Sequence, residues 1–199
     1  MTTTRLALYA ALGALCVYAT PSIAGAQDNS STSGFFIGGS YERNGVAFED
    51  LRGAEVGFGY GVILGYGFTP KLALYAQASS ASDNSIYGKY GLGHFDSGLR
   101  VHFRSPARTL VPFIQAGISL RELIQEFGLD TVKLTGAGVA FGGGINVHVN
   151  PAVAFSTGVT WSAWNVDNFR ISGSAVPVDS LTMTTARIHF GMVWFIQSK

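Results

Sequence analysis

The sequence predicts an all-β chain that crosses a membrane as an eight-stranded antiparallel up-and-down β-barrel. Three observations carry that reading. Apolar residues alternate with polar or small ones, at period two, in eight separate segments. The connections between segments are alternately short and long. Charged residues make up 13% of the chain against 47% hydrophobic, whereas a soluble domain carries about 25% charged residues.

The N-terminus accounts for the one continuous apolar run. Arg5 supplies a positive n-region, Leu6 to Val17 an apolar h-region too short to span a bilayer, and Ala24-Gly25-Ala26 an A-x-A cleavage site. Residues 1–26 are read as a cleaved Sec signal peptide, 27–33 as a flexible polar leader and 34–199 as the barrel. Cys16, the one cysteine, falls inside the signal. It follows Leu15 rather than the small residue of a lipoprotein signal. The mature chain therefore has neither disulfides nor thiol catalysis. Removing Arg5 from the 13 basic residues leaves twelve, against twelve acidic ones. Such a balance offers nothing to nucleic acid.

Segment one sets Phe35, Ile37, Gly39 and Tyr41 against Gly38, Ser40 and Glu42. Segment two sets Val56, Phe58, Tyr60, Val62, Leu64, Tyr66 and Phe68 against Glu55 and a run of glycines. Segment three opposes Leu72, Leu74, Ala76 and Ala78 to Tyr75, Gln77 and Ser79. Segment four opposes Phe95, Leu99, Val101 and Phe103 to Asp96, Gly98, Arg100 and His102. Segment five alternates Ile114, Ala116, Ile118 and Leu120 with Gln115, Gly117, Ser119 and Arg121. Segment six has Ala137, Val139, Phe141, Ile145 and Val147 against Gly138, Gly142, Gly144, Asn146 and His148. Segment seven has Val153, Phe155, Val159 and Trp161 against Ser156, Gly158, Thr160 and Ser162. Segment eight has Ala186, Ile188, Phe190, Met192, Trp194 and Ile196 against Arg187, His189 and Gly191.

Period two sends alternate side chains to opposite sheet faces. A face of glycine, serine and few charges solubilises poorly. It suits the interior of a barrel whose apolar face meets lipid. Closure then leaves no open backbone edge in hydrocarbon. Eight strands enclose a lumen that side chains can fill, and the glycines of segments two and six are expected to make room for Tyr75, Phe113 and Arg100.

The short connections are Thr69-Pro70-Lys71, Ser105-Pro106-Ala107-Arg108 and Asn150-Pro151, each with a turn proline. The long ones cover about 43–53, 80–93, 122–135 and 163–180. This is the asymmetry of periplasmic turns and outer loops. Arg121 to Phe127 is expected to form one or two helical turns. Aromatic residues gather near segment ends, as rings at membrane interfaces do. Signal, strands and loops together place the chain in the outer membrane of a Gram-negative bacterium.

Four stretches carry a family resemblance: Gly34-Phe35-Phe36-Ile37-Gly38-Gly39, Gly65-Tyr66-Gly67-Phe68-Thr69-Pro70, Val111-Pro112-Phe113-Ile114-Gln115-Ala116-Gly117 and Gly191-Met192-Val193-Trp194-Phe195-Ile196. The chain resembles the small outer-membrane β-barrel family, similar to the barrel domain of outer-membrane protein A, over about residues 34–199. The last stretch is similar to the family's closing β-signal, which implies recognition of Gly191, Trp194 and Ile196 by the barrel-assembly machinery. Ile196 stands where that signal has Phe, and Gln197-Ser198-Lys199 extend beyond it. No peptidoglycan-binding domain follows, so the resemblance implies no tether to the cell wall.

Inward charges are the candidate site. Glu42, Glu55 and Arg187 are expected to meet near the closure of the barrel, with Asp96, Arg100 and Arg121 completing a lumen charge network. Such ion pairs satisfy buried charge and block water; a small gated pore is the functional alternative. His94, His102, His148 and His189 point inward by parity, without metal-ligand spacing, and no cofactor is expected. A lipid A-modifying enzyme needs a nucleophile within reach of lipid. His94, Asp96 and Ser97 do not form a recognisable triad, and parity puts Ser97 opposite the other two. The glycine repeats at Gly57 and Gly136 lack the strand–loop–helix context of a dinucleotide site. Tyr87, Tyr90, Trp164 and Phe169 are loop aromatics, expected to contact a ligand or a partner, to pack on neighbouring loops or to sit at the lipid headgroups. The expected role is non-enzymatic: a monomer contributing to envelope integrity and surface-loop contacts with an extracellular or host ligand. Its other partners are outer-membrane lipid and, in biogenesis, the assembly machinery and periplasmic chaperones.

Overall fold

A computed structural model describes residues 32–48, 54–85, 88–103, 109–128, 130–177 and 181–196. The expected signal peptide, leader residues 27–31, the second short turn, Tyr87 and residues 197–199 lie outside the described residues. The strands are β1 (Gly34–Phe48), β2 (Ala54–Gly67), β3 (Leu72–Ser85), β4 (Gly88–His102), β5 (Leu110–Phe127), β6 (Asp130–Asn150), β7 (Val153–Ile171), β8 (Ser174–Val176) and β9 (Thr182–Ile196). All pairings are antiparallel, and β9 bonds to both β7 and β1. β1–β7 and β9 thus close an eight-stranded barrel. The three-residue β8 pairs with the end of β7.

The register fixes the shape. Residues directly opposite one another run from Phe36 through Gly65, Tyr75, Gly98, Gly117, Ala140, Ser162 and Thr185, and return to β1 at Val46. The ladder climbs ten residues per circuit, which for eight strands implies a tilt of about 43°. Outward on β2 lie Phe58, Tyr60, Val62, Leu64 and Tyr66, followed just past its end by Phe68, all exposed. Their span, at about 3.3 Å per residue and this tilt, is a belt roughly 25 Å tall, the height of a lipid-facing band. Exposed apolar residues continue the belt round the other strands, among them Phe95, Ile118, Val139, Trp161 and Ile188.

The short turns owe their form to local side-chain acceptors. Thr69 Oγ1 accepts from the amides of Lys71 (3.2 Å) and Leu72 (3.0 Å), and Asn150 Oδ1 from those of Ala152 (2.9 Å) and Val153 (2.8 Å). Both turns stand at the end where β1 begins and β9 ends. Thr32, at the end of the expected leader, is buried there and donates to the carbonyl of Pro70.

Beyond the belt the strands continue, and this corrects the expected loops. β5, β6 and β7 run for 18, 21 and 19 residues. Arg121 to Phe127 is strand, not helix. Leu120, Leu123, Ile124 and Phe127 have helical spacing, but pairing with both β4 and β6 overrides it. The alternation also inverts: Leu123, Leu134, Trp164 and Val166 point inward and are buried, while Lys133 and Glu122 pair outside at 2.9 Å. One extra residue, Asp167, interrupts the β6–β7 register, so that Leu134 opposes Phe169. The bulge turns Phe169 rather than Asn168 towards the interior. Ser172 (φ 48°) and Gly173 (φ 87°) then form a two-residue hairpin turn into β8; both positive φ values mark it as type I′.

Candidate functional site

The lumen holds a belt of charge at mid-height, supplied by side chains that period two points inward. Asp96 on β4 is its centre, fully buried. One carboxylate oxygen meets Arg121 Nη1 from β5 at 2.8 Å, and the other meets Arg187 Nη2 from β9 at 2.8 Å. β4 and β9 stand four strands apart around an eight-stranded ring, so Arg187 reaches across the full lumen. Its Nη1 donates to Ser79 Oγ (3.1 Å), and its Nε lies 3.7 Å from Glu42 Oε2 on β1. Glu42 Oε1 accepts from Gln77 Nε2 (3.0 Å) and Ser40 Oγ (3.0 Å). Arg121 donates from Nε (3.2 Å) and Nη2 (2.9 Å) to Ser162 Oγ, which also bonds to Thr185 Oγ1. Two carboxylates and two guanidiniums balance formally. Every one of the four is buried, so their pairing offsets a desolvation cost of several kcal/mol per ion.

Glycines make this density possible. A Cβ on Gly61 would lie 2.2 Å from Glu42 Oε1, and one on Gly144 would lie 2.8 Å from the Phe113 ring. Towards the terminal end a second layer surrounds Arg100. Its Nε (3.0 Å) and Nη2 (2.5 Å) donate to Gln115 Oε1, and Gln115 Nε2 donates to Thr160 (3.3 Å). The guanidinium stands 4.2 Å from the Phe113 ring centroid, 5.4 Å from Tyr75 and 5.9 Å from Phe36, a cation held by aromatic faces instead of a carboxylate. Phe195 completes the layer, between Phe36 (5.7 Å) and the stacked His148 (5.2 Å). At the opposite end a third, apolar layer gathers Val46, Tyr90, Leu92, Leu123, Leu134, Trp164, Val166 and Met183.

The family model described as outer membrane protein beta-barrel domain matches residues 7–191. The chain belongs to that family. This outer-membrane barrel lies in the Gram-negative outer membrane. It is similar in fold to Neisserial surface protein A, at 15% identity and TM-score 0.66, over 82% of this chain and 98% of that one. OprG from Pseudomonas aeruginosa is 13% identical with TM-score 0.60, over 86% and 99%. Ail, the attachment invasion locus protein of Yersinia pestis, is 10% identical with TM-score 0.53, over 81% and 99%. No curated protein matches the sequence significantly.

Within this outer-membrane barrel, four expected network residues meet: Glu42, Asp96, Arg121 and Arg187. Arg100 does not join them and stays in the aromatic layer. Glu55 is also misplaced by the sequence reading. The register seats Gly59 beside Glu42, and Glu55 four residues away beside Val46; its side chain lies outside the described residues. Sequence reading named Gln77, Ser79 and Ser162 as inward but did not assign them to the network, although parity was the available signal. Thr185, which it did not name, was legible by the same parity. Of the loop aromatics, Tyr90 and Trp164 are buried in the apolar layer, and Phe169 packs against it. All four histidines are inside and buried. Ser97 is on the opposite face from His94 and Asp96, and donates to the Tyr75 carbonyl (3.1 Å). Gly191 lies where a Cβ would be 2.1 Å from the Gly39 carbonyl across the β1–β9 seam; Trp194 and Ile196 face outward on the same seam, exposed.

Proposed function

We propose that this barrel is a non-enzymatic, non-conducting structural protein of the outer membrane, which supports envelope integrity and presents its outer rim to an extracellular ligand. The observation that carries this reading is the lumen, packed in three layers from the Phe36 end to the Trp164 end. The charges of the middle layer, Glu42, Asp96, Arg121 and Arg187, are consumed by one another, so the belt acts as a strut between opposite walls. The strands beyond the belt have an apolar core of their own, which makes the rim a rigid platform. That rim is where a ligand contact belongs. In this reading residues 1–26 are removed on export, chaperones deliver the chain as a monomer, and the assembly machinery engages β9 through Gly191, Trp194 and Ile196.

The test is a deletion strain complemented with the wild-type chain or with a variant in which Ser172 and Gly173 are embedded in an unrelated hairpin tip. Wild type should restore both detergent resistance and surface binding; the tip variant should restore only the first. Restoration of neither by the wild-type chain overturns the proposal, as does lipid A mass changed by the purified barrel. Mature chain beginning near Gln27 is the expected mass-spectrometric result, and full-length chain in the outer membrane would refute the cleavage.

A further inference from the structure

Every lipid-facing position in the belt is uncharged among the described residues, with one exception. Arg43 on β1 is exposed, and its two ladder neighbours, Phe58 and Ile188, are both exposed belt residues. It lies near the upper edge of the belt, on the side away from the start of β1 and the end of β9. A guanidinium in hydrocarbon costs several kcal/mol at the midplane and far less near the interface, so its position fits the headgroup level of the outer leaflet.

The surroundings form a built patch. Along the ladder, Arg43 is followed by Phe58 and Ser82, and Tyr41 by Tyr60 and Ser80. The guanidinium sits over the Phe58 ring at 5.6 Å. Tyr41 stacks on Phe58 at 6.1 Å and meets Tyr60 edge-on at 5.6 Å. The Phe58 ring holds one face of the cation, and among the described residues its donors are left open to an anion. Ser80 and Ser82 are exposed beside them.

Directly below on the same wall is a groove of about 470 Å³, lined by Ile37, Leu64, Tyr66, Leu74, Ala76 and Ser97 among others. Small residues at Ala76 and Ser97 create it, and the Ser97 hydroxyl is turned back onto a backbone carbonyl, which leaves the floor apolar. Arg43 and Ile37 are six residues apart on one strand, about 15 Å along the membrane normal, within the reach of a fatty-acyl chain.

We infer that the outer face of β1–β4 holds one phosphorylated glycolipid of the outer leaflet, of the lipid A type. Arg43 takes the phosphate through charge-assisted hydrogen bonds. Tyr41, Tyr60, Ser80 and Ser82 face the sugar, and an acyl chain fills the groove above Ala76. A sugar headgroup is favoured over a simple phosphodiester because aromatic faces and hydroxyls, rather than further cations, flank the arginine.

The test uses the full barrel purified from outer membranes in mild detergent, with retained lipid read by native mass spectrometry. Wild type should keep one lipid A molecule; Arg43→Gln and Ala76→Phe should keep about tenfold less, and Lys133→Gln, above the belt, should match wild type. Folding of each variant is checked by its gel shift in cold detergent. The wild-type barrel is also placed in bilayers containing lipid A, dephosphorylated lipid A or phosphatidylglycerol, and its heat-unfolding midpoint compared. The largest rise is expected with lipid A. Equal retention by Arg43→Gln overturns the inference. Equal stabilisation by the dephosphorylated lipid or by phosphatidylglycerol does so even where a variant fails to fold.

Discussion

Asp96 and Arg100 are both buried lumen charges, and their environments predict opposite responses to removal. Asp96 serves two guanidiniums at 2.8 Å each. Asp96→Ala leaves Arg121 without its carboxylate and Arg187 with only the 3.7 Å contact to Glu42, in a closed interior, an effect of about 3–5 kcal/mol. Glu42→Ala should cost less, since its contact with Arg187 is 3.7 Å and its other partners are neutral. Urea unfolding of the two variants in detergent micelles gives the order directly, and equal midpoints would disprove it. Arg100, by contrast, has aromatic faces and one amide. Arg100→Met keeps the volume and removes a desolvated charge, so stability should change by about 1 kcal/mol or less. A loss as large as that of Asp96→Ala would show that the cation itself holds the layer. Parity in the sequence put both residues inside. It did not separate them by height, because height depends on the ten-residue stagger that only the pairing register reveals.

At the scale of the strand, the belt was legible and its continuation was not. On β9 the even positions from Ala186 to Ile196 face lipid, as alternation alone indicates. Above the belt the solvent changes from hydrocarbon to water. Inward positions become apolar, such as Leu123 and Leu134, and outward ones polar, such as Glu122 and Lys133. A reading tuned to apolar-out strands takes these stretches for loops. The Asp167 bulge marks the same region. Inserting one residue opposite it, between Thr135 and Gly136, restores simple alternation and turns Thr135 and Asn168 towards the apolar layer, with Leu134 and Phe169 to water. The belt should then remain heat-modifiable on a gel while the β6–β7 extension becomes sensitive to protease; unchanged protection of that extension would rule the account out. Close packing of strand on strand makes a second demand. Gly98 and Gly117 face each other across β4–β5, where a Cβ on either would fall 2.1 Å from a backbone carbonyl. Gly117→Val should prevent formation of the folded band, whereas Gly128→Ala, with no atom within 4 Å but a φ of 61°, should cost about 1 kcal/mol.

Taken as one molecule, the barrel is closed by layers of different chemistry, and this decides how it responds to opening. Water and ions would have to pass the Arg100 aromatic layer, the Asp96 belt and the Trp164 layer in series. Removing one barrier leaves the others intact, so Glu42→Ala or Arg187→Ala alone should give no current in planar bilayers, as for wild type. Large side chains in the Trp164 layer pack directly above the belt, on strands held by their own ladders rather than by the ion pairs. Current should appear only when the belt and both flanking layers are cut back together, as in Arg187→Ala combined with Trp164→Ala, Leu123→Ala and Phe113→Ala. A single belt variant that conducts would mean that the charges are a gate and the apolar layers leak. The combined variant, if folded and still silent, would mean that the remaining side chains of an eight-stranded lumen suffice to exclude ions, which places the seal in the strand number itself.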